Sequence, residues 1–408
     1  MILATHKAHI HPIHPFPARM APSIVWDCLP VDDTPLTILD PMSGSGTTIV
    51  CAREKGHIAV GCDTDPLALL IARAWCSDID PEKVRIQAAR VLNQAKKKAE
   101  TLDLEEAYPN QADKETRRFI EYWFDDENRR QLTALSGCIM QTELINEKVF
   151  LWCAFSRLII TKSTGVSLAM DISHSRPHKV YQIAPIHPFD IYLREVEKVI
   201  KKCPFQMNDK SIKNRPLSEI RKGDARCLPI NANSIDMIIT SPPYLNAIDY
   251  LRGHKLSLVW MGYRISFIRH LRSENVGSEI SKYPKKDKVI YEMMNSMGEI
   301  DKLDNRRMGM LCRYVYDMND VLRECARVLK RNCQAIFVVG NSSIQGIFIK
   351  NSEAIIQLAT NHGFSLVSKT FRPLAENRRY LPPPNLQQSG KQLQRRMREE
   401  VILKFVID

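Results

Sequence analysis

At 408 residues, with 44% hydrophobic and 25% charged residues, the chain is long enough for two or three domains around a sizeable core, which excludes a disordered chain. No apolar run approaches the ~18 residues of a membrane span, since the stretch from Val149 to Ile160 is broken by Arg157; with no signal-peptide core at the amino terminus, a cytoplasmic protein is expected. The net charge of +12 is concentrated: residues 251–288 carry nine Lys/Arg against three acids, and residues 368–398 eight against one, a pattern suited to a polyanionic partner or to a basic solvated face.

The proline-rich segment from His9 to Pro22 cannot be helical until about Ala21, because proline lacks the N–H that a helix needs; a helix through Leu29 is predicted to follow. Its neighbourhood holds His6, His9, His11 and His14, but no carboxylate or cysteine completes a metal-ligand set, and a stiffened arm is the other reading. The eleven cysteines show no Cys-x-x-Cys spacing, and Cys51, Cys62, Cys153 and Cys325 sit in apolar patterns, so they are expected to be reduced core residues.

Leu36 to Asp40 predicts a strand ending in an acid, followed by the turn Pro41-Met-Ser-Gly-Ser-Gly46 and a helix beginning near Thr47. Gly44 and Gly46 permit a tight turn and close approach of a ligand to free N–H groups at the helix start. A phosphate-binding loop would need Gly-Lys-Ser/Thr, and a dinucleotide site a third glycine where Ile49 stands. A second strand, His57 to Asp63, ends in an acid nineteen residues after Gly44, the spacing of a ribose-binding carboxylate, with Asp65 as a cap for the helix that starts at Pro66.

From residue 77 to 217 the strand–helix alternation gives way to polar helical stretches (81–101, 116–135, 149–161, 191–202), read as a helical insertion that either recognises a target or only packs. The loop from Asp171 to Lys179 within it is dense in donors. The sheet resumes at Glu219 to Asp224, and an apolar strand, Ile235 to Ile239, delivers Ser241-Pro-Pro-Tyr244 to the edge where open α/β sheets place ligands. Two prolines remove donors, leaving carbonyls and the Ser241 hydroxyl as acceptors beside the Tyr244 ring; alone, the same four residues could be a turn. A long helix (306–329), a strand (334–339), a helix (352–361) and two strands (364–371, 400–407) complete a seven-stranded pattern, with a proline-rich loop between the last two.

In order along the chain, these stretches resemble the amino-methylating DNA methyltransferases. Asp40-Pro-Met-Ser-Gly-Ser-Gly-Thr-Thr48 is similar to their S-adenosylmethionine-binding motif, with Met42 where phenylalanine is usual, and Thr240-Ser-Pro-Pro-Tyr244 to the form of their catalytic motif associated with N4-cytosine enzymes. The resemblance implies a Rossmann-like methyltransferase sheet with a helical insertion, and a division into residues 1–76, 77–217 and 218–408. It implies cofactor contacts from Phe16, Pro17, Asp40, Pro41, Met42, Gly44, Gly46, Thr47, Asp63 and Asp224, the last toward the adenine amino group. Catalysis would fall to Ser241, Pro242, Pro243 and Tyr244. No covalent nucleophile is required, and no cysteine stands in the Pro-Cys context of ring methylation. The partner implied is duplex DNA with its target base flipped out, clamped through Arg269, Arg272, Arg378 and Arg379, within a restriction or defence system. The order of arm, cofactor motif, large insertion and catalytic motif departs from the family's usual permuted arrangements. N6-adenine methylation, RNA methylation and nucleic-acid binding without turnover are the alternatives.

Overall fold

A strand buried on both faces must lie inside a layered sandwich, and the chain supplies four such runs. In the computed structural model, which describes residues 10–17, 19–30, 34–173, 177–208, 215–245, 249–277, 293–344, 347–374 and 399–408, these are β1 (Thr37–Asp40), β2 (Ile58–Asp63), β4 (Ile235–Thr240) and β5 (Leu329–Gly340). The more exposed β3 (Ser218–Lys222) and β8 (Phe364–Pro373) take the edges, and β9 (Glu399–Ile407) lies inside β8. The sheet order is β3-β2-β1-β4-β5-β9-β8, parallel except for β9, which runs against both its neighbours. The predicted seven-stranded α/β fold is therefore the one observed. A small hairpin of β6 (Ser342–Ile344) and β7 (Ile347–Ile349) lies outside the sheet and was not expected from sequence.

The chain moves outward from β1 to β2 and β3, then returns to lay β4 on the other side of β1. That reversal opens a crevice at the carboxyl ends of β1 and β4. Alternation assigns the two cores. Leu39, Ile238, Phe337 and Leu403 face α11 (Asn305–Val328) and α12 (Asn351–Asn361), whereas Ile38, Met237, Ile239 and Val338 face α1 (Pro22–Cys28), α2 (Thr47–Glu54) and α3 (Pro66–Cys76).

The segment predicted as helical is α4 (Pro81–Thr101), α5 (Lys114–Trp123), α6 (Asp126–Met140), α7 (Ile145–Ile159) and α8 (Pro188–Lys202). One apolar cluster runs from the sheet face through α3 into these helices, so the segment extends the core of that face. The single helix predicted over 116–135 is two. Phe124 is extended, and the Asp125 side chain caps α6 by accepting from the Asn128 N–H at 2.9 Å. Beyond β4 come α9 (Leu251–Leu258) and α10 (Ile265–Glu274). Among the described residues no helix is long and apolar enough to cross a membrane.

Candidate functional site

The cradle is built from the end of β1. Gly44 (φ +50°) and Gly46 (φ +93°) are both left-handed, which glycine adopts without steric cost. Gly46 carries a second constraint, because a Cβ there would lie 3.1 Å from the Ala72 Cβ, where α2 and α3 meet. Asp63, at the end of β2, braces the turn: its Oδ2 accepts from the Gly44 N–H at 2.8 Å and its Oδ1 from the Asp65 N–H at 2.9 Å. Burial and the neighbouring Asp65 carboxyl push Asp63 up to about 6, against the pull of those two N–H groups. Asp40 is buried and also pushed up by burial to about 6, although the Thr240 hydroxyl donates to its Oδ1 at 2.7 Å and the Met42 N–H at 3.2 Å.

Phe16 reaches this cradle from the amino-terminal arm. Its ring lies 3.6 Å from where a Cβ of Gly44 would stand and stacks 5.5 Å from Tyr250. The arm is docked by Arg157, whose guanidinium donates to the Ile13 carbonyl at 2.5 Å while paired with Glu195, and by His14, whose Nε2 is 3.0 Å from the Ser156 Oγ. His14 is thus an arm contact held neutral by burial, while His6 and His9 lie outside the described residues. Pro17 follows Phe16 on the arm, Pro41 and Thr47 are buried in the turn and first helical residue, and Met42 packs toward the α11 face. The hydroxyls of Ser43 and Ser45 are buried in the same turn without a hydrogen-bond partner among the described residues. Left-handed glycines, an acid one strand away, an aromatic cover and unsatisfied hydroxyls together fit an adenosyl cofactor.

Asp224 lies just past β3, next to Gly223, whose N–H donates to the Asp63 carbonyl at 3.0 Å. Its carboxylate grips Arg226 at 2.7 Å. Partial burial would raise its pKa, but that ion pair brings it below the usual carboxylate range. Arg226 also binds Asp317 at 2.8 Å, so Asp224 belongs to a charged network at the rim of the cradle.

Across the crevice, the Ser241 hydroxyl donates to the Val338 carbonyl at 3.0 Å. With its one proton directed there, its lone pairs remain as acceptors. Pro242 is buried and Pro243 partly exposed. Tyr244 is anchored by its phenol, which donates to Glu400 Oε1 at 3.2 Å and lies 3.4 Å from Ser241 Oγ; Arg372 holds the other Glu400 oxygen at 2.8 Å. Burial and the Glu400 charge push the Tyr244 phenol well up, so it stays protonated. Sequence reasoning missed Glu400. Its signal was an acid one residue before the inward-facing series Val401, Leu403, Phe405 and Ile407, and that places it on the opposite, site-side face of β9.

Of the basic residues singled out, Arg269 and Arg272 lie on α10. Arg269 is paired with Glu115 of α5 and Arg272 with Asp249, which also holds Arg252 at 3.0 Å. Between them Lys255 sits 5.1 Å over the Phe119 ring, its pKa lowered by burial and then by Arg272. Arg378 and Arg379 lie outside the described residues. Among the described residues no group of three or more His, Cys, Asp or Glu could hold a metal ion.

Comparison with known proteins returns Type II methyltransferases. The chain is 23% identical to M.MvaI of Kocuria varians over 389 residues, covering 92% of this chain and 85% of that one. It is 24% identical to M.AvaI of a Nostoc species, covering 81% and 73%, and 25% identical to M.MjaII of Methanocaldococcus jannaschii, covering 69% and 67%. No family model matches the chain. A solved TehB-like SAM-dependent methyltransferase from Corynebacterium glutamicum overlaps 95% of this chain and 87% of its own at 8% identity and a TM-score of 0.30; the fold assignment rests on the strand order itself.

Proposed function

We propose that this homologue of the Type II methyltransferases is a site-specific DNA methyltransferase that uses S-adenosylmethionine to methylate the N4 amino group of cytosine. The observation that carries the reading is the meeting of two half-sites at one crevice: the glycine cradle with Asp63 on β1 and β2, and Ser241 to Tyr244 on β4, tied together by the Thr240–Asp40 hydrogen bond. When bound, S-adenosylmethionine supplies the methyl group from its sulfonium. Asp63 would accept from the ribose hydroxyls, the Gly44 turn would admit the cofactor closely, and Phe16 would cover it.

On the base side, the Ser241 oxygen and the Pro242 carbonyl accept the amino protons, which turns the nitrogen lone pair toward the methyl. Alignment of this kind supplies on the order of 7–11 kcal/mol of a displacement barrier, so no covalent nucleophile is needed. Tyr244 offers its ring to the base. Extruding that base costs a few kcal/mol, and ring stacking of ~1–3 kcal/mol per base offsets part of it. The remainder falls to phosphate contacts, for which Arg269 and Arg272 stand on the helix following α9. The Thr-Ser-Pro-Pro-Tyr form of the tetrapeptide favours cytosine over adenine.

The test is to incubate the protein with labelled S-adenosylmethionine and mixed-sequence duplex DNA, digest to nucleosides and identify the product by mass. N4-methylcytosine is expected. N6-methyladenine would overturn the choice of base while keeping the site, and label appearing only in RNA would overturn DNA as the substrate.

A further inference from the structure

The pair His254–Asp65 ties the cofactor cradle to α9, the helix that follows the Ser241–Tyr244 stretch along the chain. His254 Nδ1 is 2.5 Å from Asp65 Oδ2, and both side chains are buried. Since a carboxylate accepts only, Nδ1 carries the proton and donates it. Asp65 is committed in three directions: Oδ1 caps α3 by accepting from the Leu67 N–H at 2.9 Å, Oδ2 accepts from His254, and its N–H donates to the Asp63 carboxylate at 2.9 Å. Asp63 in turn accepts from the Gly44 N–H. A continuous chain of hydrogen bonds therefore runs from the glycine turn through Asp63 and Asp65 into α9, the first helix after the Ser-Pro-Pro-Tyr stretch.

The same face of α9 also positions Phe16. The Phe16 ring lies 5.1 Å from His254 and 5.5 Å from Tyr250, one helical turn apart, and covers Gly44. Helix α9 thus carries both the rings that pack on the Phe16 cover and, among the described residues, a buried polar tie to the cofactor edge. The other ring nitrogen, Nε2, is buried without a partner among the described residues.

We infer that His254 is a positioning residue, which through Asp65 sets the separation between the cofactor cradle and the Ser241–Tyr244 stretch. This rests on the methyltransferase reading proposed above. It acts on alignment, so its loss lowers the rate of transfer without a matching loss of cofactor binding; a misplacement of about 1 Å costs roughly 100-fold in such a reaction.

The test uses the two amide substitutions, which separate the ring nitrogens. His254→Asn presents an N–H near the Nδ1 position and His254→Gln near the Nε2 position. Single-turnover methylation of duplex DNA and the dissociation constant for S-adenosylmethionine are measured for both. His254→Gln is expected to lose about 30- to 100-fold in transfer rate, with cofactor affinity within about threefold, and His254→Asn to recover to within about fivefold of wild type. Asp65→Ser keeps a capping oxygen for α3 and removes the histidine's partner, so its loss should match that of His254→Gln, and the double variant should fall no further. Equal rates for the Asn and Gln variants, additive losses in the double variant, or a fall in affinity as large as the fall in rate overturns the inference. Should His254→Gln not fold, Asp65→Ser with wild-type transfer rates overturns it alone. A wild-type protein that binds cofactor but methylates neither DNA nor RNA brings down the methyltransferase reading itself, which these variants cannot do.

Discussion

Asp63 holds the cradle with both oxygens engaged by N–H groups, and its pKa is nevertheless raised to about 6 by burial and Asp65. A carboxyl whose folded pKa exceeds its unfolded one binds its proton more tightly when folded. Its contribution to stability is complete below about pH 4 and is lost as pH rises through about 6. With Asp63 in its proposed role at the ribose, ligand binding runs the other way, because ribose hydroxyls need an ionised acceptor. Affinity for S-adenosylmethionine should strengthen between about pH 5 and pH 7, and Asp63→Asn should flatten that rise in calorimetric titrations; an unaltered pH step in the variant would remove Asp63 from the ribose. At Ser241 the expectation concerns rate. Ser241→Ala deletes the acceptor and leaves the Val338 carbonyl without its donor, so transfer should fall about 100-fold or more, with the cofactor dissociation constant within about threefold. Equal losses in both would take Ser241 out of the catalytic role. Both residues were legible in the sequence because each closes an apolar strand, where the change from buried to polar marks the sheet edge. Glu400 was not, because its partner Tyr244 lies 156 positions away.

Among the elements, α2 and α3 meet at a single glycine. Gly46 serves the left-handed turn and the helix contact together. Gly46→Ala should therefore cost on the order of 1–3 kcal/mol from crowding against Ala72 and about 1 kcal/mol more from the positive φ. Urea unfolding measures the sum. Adding Ala72→Gly should restore only part of it, since room does not relieve the backbone; full recovery would mean that the φ constraint is immaterial. Helix starts were readable at Asp65-Pro66 and Asp80-Pro81, because there a cap and a fixed φ act locally. The break at Phe124 was not. The apolar period carries across it, and Asp125 caps α6 and accepts from the Ala184 N–H at 2.8 Å, a partner supplied by a distant loop.

For the molecule as a whole, the excess positive charge has a place as well as a size. Arg252, Lys255, Arg269 and Arg272 gather on α9 and α10 with Asp249 and Glu115 as their counter-charges, close along the chain to the Ser241–Tyr244 stretch. If these arginines meet phosphates, Arg269→Gln with Arg272→Gln should make the slope of log affinity against log salt shallower by about two, equally for all duplex sequences. Anisotropy titrations between about 50 and 200 mM salt measure this, and an unchanged slope would move the duplex elsewhere. By itself the sequence determined the strands, the glycine turn, the acid that braces it and the tetrapeptide that faces it, because each is written in neighbouring residues through period, φ preference and donor inventory. The tertiary structure decided which groups meet: Thr240 with Asp40, Tyr244 with Glu400, and His254 with Asp65. Those contacts join residues some 150 to 200 positions apart, and a hydrogen bond between them exists only once strand order and helix packing have set the distance to within a few tenths of an ångström.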